Sequence, residues 1–135
     1  MDKKVILDKL IDAKHAHTKW RIHAQCIVNG MNVEDKVPVL HTTCAFGQWY
    51  QNEGQNLLGH LDEFKAIDGP HEKLHQAYTK IHNELIENGY KVNGNQRLYD
   101  EDKVANARVF LKELVEISDG LLKKLTLLED KVKSS

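Results

Sequence analysis

Proline is nearly absent from these 135 residues: only Pro38 and Pro70 interrupt the chain, so long helices meet few obligatory breaks. Cysteine is equally scarce. Cys26 and Cys44 are the only two. That excludes a disulfide-stapled fold and, in a reducing compartment, leaves burial, metal binding or redox chemistry as their uses. No apolar run approaches the roughly 18 residues of a spanning helix. The N-terminal MDKKVILDKLIDAKHAH sets charges on both sides of every short apolar run, which a signal peptide does not. Nineteen basic and twenty acidic residues leave a net charge of -1 with no block of one sign. The composition therefore asks for neither nucleic acid nor an anionic membrane, and a cytoplasmic location is expected.

What the chain does hold is helical periodicity and eight histidines. Its length suits a single domain over residues 1–135 that buries about two-thirds of its unfolded surface. From Lys3 to Asn29, Ile6, Leu10, Ala13, His17, Trp20, Ala24 and Ile27 recur at alternating steps of four and three, a seam that faces a partner helix. Asn-Gly-Met-Asn at 29–32 ends it by turn chemistry. Val39 to about Asn52 reads as a shorter helix carrying Cys44, Phe46, Trp49 and Tyr50, stopped by Gly54. Leu57, Leu58, Leu61 and Phe64 mark another short piece. Asp68-Gly69-Pro70 is a start signal for a helix from His71 to about Asn88, with Leu74, Ala77, Tyr78, Ile81 and Leu85 inward. Asn88 to Asp102 reads as a loop. A last helix, Lys103 to Val132, sets Leu111, Leu114, Leu121, Leu125, Leu128 and Val132 on a near-heptad stripe. Four main helices with short joints predict an all-α four-helix bundle.

Polar residues on these apolar faces are the candidates for chemistry. His17 sits in the middle of the first seam. His71 and His75 lie four apart, one turn above each other on the face that carries Leu74 and Tyr78, and so can chelate one ion. Cys44 is a fourth candidate on a different helix. One thiolate and three imidazoles satisfy tetrahedral zinc and suit neither magnesium nor calcium, which prefer oxygen. Cys26, nine residues after His17, faces the opposite side of its helix and is expected to pack. His82 lies about 10.5 Å along the axis from His75, too far to share an ion. His15 and His23 fall off the seam and are expected to be solvated; His60 lies in a loop-like stretch. His41 can face the same way as Cys44 and stays as an orienting residue or reserve ligand. Asp12, Asp68 and Glu72 are candidates to orient an imidazole. Trp20 and Trp49 are expected to wall the site, and Gly47 to admit a close helix.

His17-x-x-Trp20, Cys44-x-Phe46-Gly47-x-Trp49-Tyr50 and His71-x-x-x-His75, in that order and at those intervals, resemble the chemoreceptor zinc-binding domain, or CZB, family over about residues 5 to 130. The resemblance implies a four-helix bundle with a three-histidine, one-cysteine zinc site: here His17, Cys44, His71 and His75. It also implies a bacterial sensory domain, found on chemoreceptors and diguanylate cyclases, that senses zinc, or oxidants such as hypochlorous acid through the zinc-bound cysteine. The sequence carries neither a cyclase Gly-Gly-Asp/Glu-Glu-Phe signature nor a long methyl-accepting coiled coil, so the signalling output lies in an attached or partner module. A homodimer is expected through the leucine stripe of the last helix. A closed site and the lack of a His-Glu-x-x-His motif speak against catalysis. A structural zinc in a helical interaction module is the alternative, and a metal-dependent hydrolase the weaker one.

Overall fold

The computed structural model describes residues 2–87 and 89–135. Helix α1, Lys3–Val28, starts where the Asp2 carboxylate accepts the N–H of Lys4 at 2.9 Å. It ends in a Schellman motif. Gly30, at φ 83°, takes the left-handed conformation, and the Met31 and Gly30 N–H groups donate back to the carbonyls of Cys26 and Ile27. Every residue of the anticipated seam is buried except Trp20, which is half-buried.

The next helical stretch begins later and ends later than its sequence suggests. Residues 39–44 form extended chain and turn; α2 spans Ala45–Trp49, with Cys44 as its N-cap rather than a residue within it. Gly54 does not stop the stretch. Trp49, Tyr50, Gly54 and Gln55 all keep right-handed helical dihedrals, so α2 runs through a π-helical turn, Tyr50–Gly54, into α3, Gln55–Leu58. A short α4, Asp62–Lys65, follows. Helix α5, Asp68–His82, includes the Asp-Gly-Pro start signal in its own first turn and continues in a second π-helical turn, Asn83–Glu87. The expected end at Asn88 lies outside the described residues.

The Asn- and Gly-rich stretch is not only loop. It folds into an antiparallel hairpin of β1, Lys91–Asn93, and β2, Gln96–Leu98, with Gly94 at φ 62° opening the two-residue turn. Helix α6, Glu101–Ser134, then runs the length of the molecule.

The architecture is the four-helix bundle that the periodicity predicts: α1, α2 with α3, α5 and α6. Helices α1 and α6 are antiparallel, linked by a Lys14–Glu129 ion pair and by Arg21 to Asp119 at 2.5 Å. Helices α5 and α6 are antiparallel too, with Glu84 bonded to Asn106 at 3.1 Å and Lys80 at 3.8 Å from Glu113. Leu10, Ile27, Ile81, Leu121, Leu125 and Leu128 are fully buried between them. The leucine stripe of α6 is thus consumed inside this chain, not left for a second subunit. No helix of the described residues is long and apolar enough to cross a membrane.

Candidate metal centre

Three helical elements meet within this core, and each contributes a polar side chain where an apolar one would pack. On α1, His17 is 4% exposed, and its Nδ1–H donates to the Ala13 carbonyl one turn back at 2.7 Å. That bond fixes the ring and turns Nε2 toward the interior. On α5, His71 and His75 stand one turn apart on the buried face with Leu74 and Tyr78. His75 donates from Nδ1 to the Val39 carbonyl at 3.0 Å, so the extended 39–44 segment orients it.

Cys44 arrives from the turn before α2. Its sulfur accepts the Gly47 N–H at 3.3 Å, so the residue caps the helix with a thiol where serine or aspartate is usual. Its S–H points at the His41 carbonyl at 3.5 Å. The same sulfur lies 3.3 Å from Nε2 of His71. Gly47 is required by close approach: a Cβ there would sit 1.8 Å from the His41 carbonyl oxygen. The neighbour is the backbone of the 41–42 turn, not another helix as its sequence position suggests.

One donor atom from each of His17, Cys44, His71 and His75 can be chosen so that all lie within 4.8 Å of one another, and the four could hold a metal ion. Around one tetrahedral zinc, at bonds of about 2.0 to 2.3 Å, such donors stand roughly 3.3 to 3.7 Å apart. The fit is supported by an idle atom. Nε2 of His75 is buried and has no hydrogen-bond partner among the described residues, a state that costs free energy unless a cation takes it.

Electrostatics favour the metal-ready protonation state of the imidazoles. Burial, then the neighbouring His17, His75 and His41, pushes His71 down to about 2. Burial pushes His75 down to about 4 and lowers His17. All three rings are therefore neutral near pH 7, as ligation requires. Burial raises the Cys44 thiol, offset in part by the backbone N–H groups of Gly47 and Phe46. Without a cation beside it the sulfur keeps its proton.

Aromatic rings close the surroundings. Phe46 stands edge-on to His17 at 5.9 Å and to His71 at 5.2 Å. Trp20 lies 4.8 Å from His75 and 4.6 Å from Tyr78. Trp49 stands one layer back, 6.0 Å from Phe46, so it supports the wall rather than forming it.

The remaining candidates separate cleanly. His15 and His60 are exposed, and Cys26 is half-buried as a free thiol away from the cluster. His82 is half-buried 6.4 Å from Tyr78. His23 is not solvated: it is half-buried against the 34–36 segment, and burial with Lys36 and Arg97 lowers its pKa. His41 stays outside the four, 5.4 Å from the His71 ring, with Nε2 3.2 Å from Asp68 and 3.6 Å from Glu72. Asp68 and Glu72 thus hold His41 rather than a ring of the cluster, and Asp12 is exposed. The groups that orient His17 and His75 are backbone carbonyls. Ala13, four residues before His17, was open to a helix reading; nothing in the sequence signals Val39.

The chemoreceptor zinc-binding domain family matches residues 15–82, a span that includes all four residues of the cluster. The chain belongs to this family. No curated protein and no solved structure matches it. The family is a zinc-binding one, and three buried imidazoles with a half-buried thiol are a set that could hold that ion, so zinc is the cofactor the site suits. The hairpin and α6 lie beyond the matched span, and α6 completes the bundle around it.

Proposed function

We propose that this domain is a zinc-dependent sensory or regulatory module in which His17, Cys44, His71 and His75 are the metal ligands, with no catalysis of its own. The observation that carries this reading is the convergence of four donors from three elements, one of them the unpartnered Nε2 of His75. Four protein ligands complete a tetrahedral site and leave no position for a substrate or an activated water. When bound, zinc supplies the Lewis acidity that holds the Cys44 sulfur as thiolate at neutral pH. Loading therefore requires Cys44 to release its proton to solvent.

The sensing step resides in that sulfur. Hypochlorous acid would oxidise the thiolate by two electrons to sulfenic acid, the oxygen passing to sulfur and chloride leaving. Cys44 then ceases to be a good ligand, and α2 loses the tie that joins its N-cap to His71 of α5. We read the resulting shift between helices as the signal, passed to a chemotaxis or cyclic-di-GMP output module that is attached or supplied by a partner. A cytoplasmic homodimer fits this role. Its support is the set of exposed apolar residues on the long outer helices, Ile22 on α1 and Val109 and Leu127 on α6, rather than the buried stripe. A purely structural zinc would use the same closed site, and only behaviour separates the two.

The experiment is to treat zinc-loaded protein with stoichiometric hypochlorous acid while following zinc release and small-angle scattering. The sensor reading expects about one zinc freed per chain, with a changed helix arrangement or dimer geometry, and no such response in Cys44→Ala. Zinc retained, or released with unchanged geometry, would leave only the structural role.

A further inference from the structure

Residues 32–40 belong to neither helix nor strand, yet this strap carries the carbonyl that orients His75. Its apolar side chains do not anchor it. Val37, Val39 and Leu40 are 75%, 40% and 70% exposed, so hydrophobic burial holds little of the strap in place. The Val39 carbonyl therefore owes its position to polar contacts made elsewhere along the same segment.

Those contacts come from buried side chains. The Tyr78 hydroxyl on α5 donates to the Lys36 carbonyl at 2.7 Å, three residues before Val39. Tyr78 is 1% exposed, and its ring lies against Trp20, which in turn lies against His75. One residue further back Asp35 makes a second clamp: Oδ1 is 2.7 Å from Nη2 of Arg97, and Oδ2 accepts the Tyr90 hydroxyl at 2.9 Å. Arg97, its side chain fully buried, also donates to the Val33 carbonyl. The span from Lys36 to Val39 is short and stiff. Three residues reach at most about 10 Å, and Pro38 fixes its own φ while steering Val37 away from helical backbone. Helix α5 thus carries the His75 ring and, three residues on, the hydroxyl that holds the strap against it.

We propose that Tyr78 is a positioning residue of the metal site, acting through the strap: with the Arg97–Asp35 clamp behind it, its hydroxyl places the Val39 carbonyl that orients the His75 imidazole. This rests on the reading of His75 as a zinc ligand. Donation from Nδ1–H to that carbonyl selects the tautomer and the ring orientation, and both set how well the other nitrogen can bind a metal.

The test measures zinc Kd by chelator competition and, in the metal-free protein, the ring-nitrogen chemical shifts of His75. It compares the native chain with Tyr78→Phe, which keeps the ring and removes the hydroxyl, and with Asp35→Asn. The control is Asn106→Ala, which removes a hydrogen bond between α6 and the turn after α5, away from the strap. Tyr78→Phe should raise Kd about tenfold, as loss of an orienting partner does, and Asp35→Asn should raise it in the same direction. The His75 shifts should move in Tyr78→Phe from the Nδ1–H tautomer toward a mixture, and the control should match the native chain on both counts. In a His75→Ala background Tyr78→Phe should add less than about twofold, since no ring is left to position. Native Kd or unmoved His75 shifts in Tyr78→Phe overturn the proposal, and so does a control that loses as much affinity. A full tenfold penalty retained without His75 also overturns it, since Tyr78 then only braces the bundle. Should Tyr78→Phe lose its helical circular dichroism, Asp35→Asn decides on the same two measurements. A native chain that binds no zinc, or His75→Ala with native Kd, overturns the four-ligand reading and this proposal with it; tight zinc that needs His75 but not Tyr78 overturns the proposal alone.

Discussion

The ring of His75 is held at one nitrogen by the Val39 carbonyl and left without a partner at the other. His75→Ala should lower zinc affinity by more than about a hundredfold by chelator competition, since orienting partners alone are worth 10 to 100-fold. Native affinity in that variant would move the site elsewhere. A pH dependence follows from the same rings. His71 and His75 have folded pKa values below the ordinary 6.5, so below about pH 6.5 the unfolded chain binds more protons than the folded one. Stability of the metal-free protein is full above that pH and falls as the solution is acidified, by about 1.4 kcal/mol per pH unit for each such histidine. The loss runs to about pH 4 for His75 and lower for His71. Thermal melts of chelator-treated protein at pH 7.5, 6 and 5 check this; a flat profile would contradict it. The histidines of the site were legible as residues because they broke an apolar seam. Cys44 was legible as a member of the cluster but not as a cap, because a capping thiol carries no propensity signal comparable to serine or aspartate.

Among the elements, the turn from His41 to Cys44 and helix α2 behave as one piece. Gly47→Ala places a methyl on the His41 carbonyl, and the turn has to shift. The cost should be about 1 to 3 kcal/mol in denaturant unfolding, with weakened zinc binding because Cys44 moves along with it. The hairpin is pinned differently. The Arg97 side chain on β2 is fully buried, 2.7 Å from Asp35, donating to the Val33 carbonyl and lying 4.4 Å from the Tyr90 ring. Arg97→Ala should cost about 2 kcal/mol and raise hydrogen exchange in β1, β2 and the 33–36 segment while α1 and α6 stay protected. Protection unchanged in the hairpin would show that Arg97 does not hold it. This element escaped the sequence reading because Asn-Gly runs signal a loop and a tight hairpin alike, and its strands are only three residues each. The boundaries of α2 escaped for a related reason: a π-helical turn lets Gly54 pass through a helix that glycine usually ends.

Across the whole molecule, the one hydrophobic core that surrounds the cluster extends well beyond it. Leu10, Ile27, Leu121, Leu125 and Leu128 are fully buried along the bundle. Zinc removal should therefore keep the helical circular dichroism signal while lowering Tm, the zinc-loaded state gaining about 4 kcal/mol when free zinc exceeds Kd by 1,000-fold. Complete unfolding on chelation would show that the bundle depends on its metal, as zinc fingers do. The bundle class was legible because periodicity of three and four persists in every long segment. The fate of the α6 stripe was not, since an apolar stripe looks alike whether its partner is in the same chain or another. The proposed zinc site joins one thiolate and three imidazoles of this chain. Zinc-edge X-ray absorption on the native protein and on Cys44→Ser tests it most directly. Coordination by all four residues predicts one sulfur at about 2.3 Å and three nitrogens at about 2.0 to 2.1 Å in the native protein, with the sulfur lost in the variant. A native spectrum with no sulfur neighbour, or with a six-oxygen shell, would contradict it.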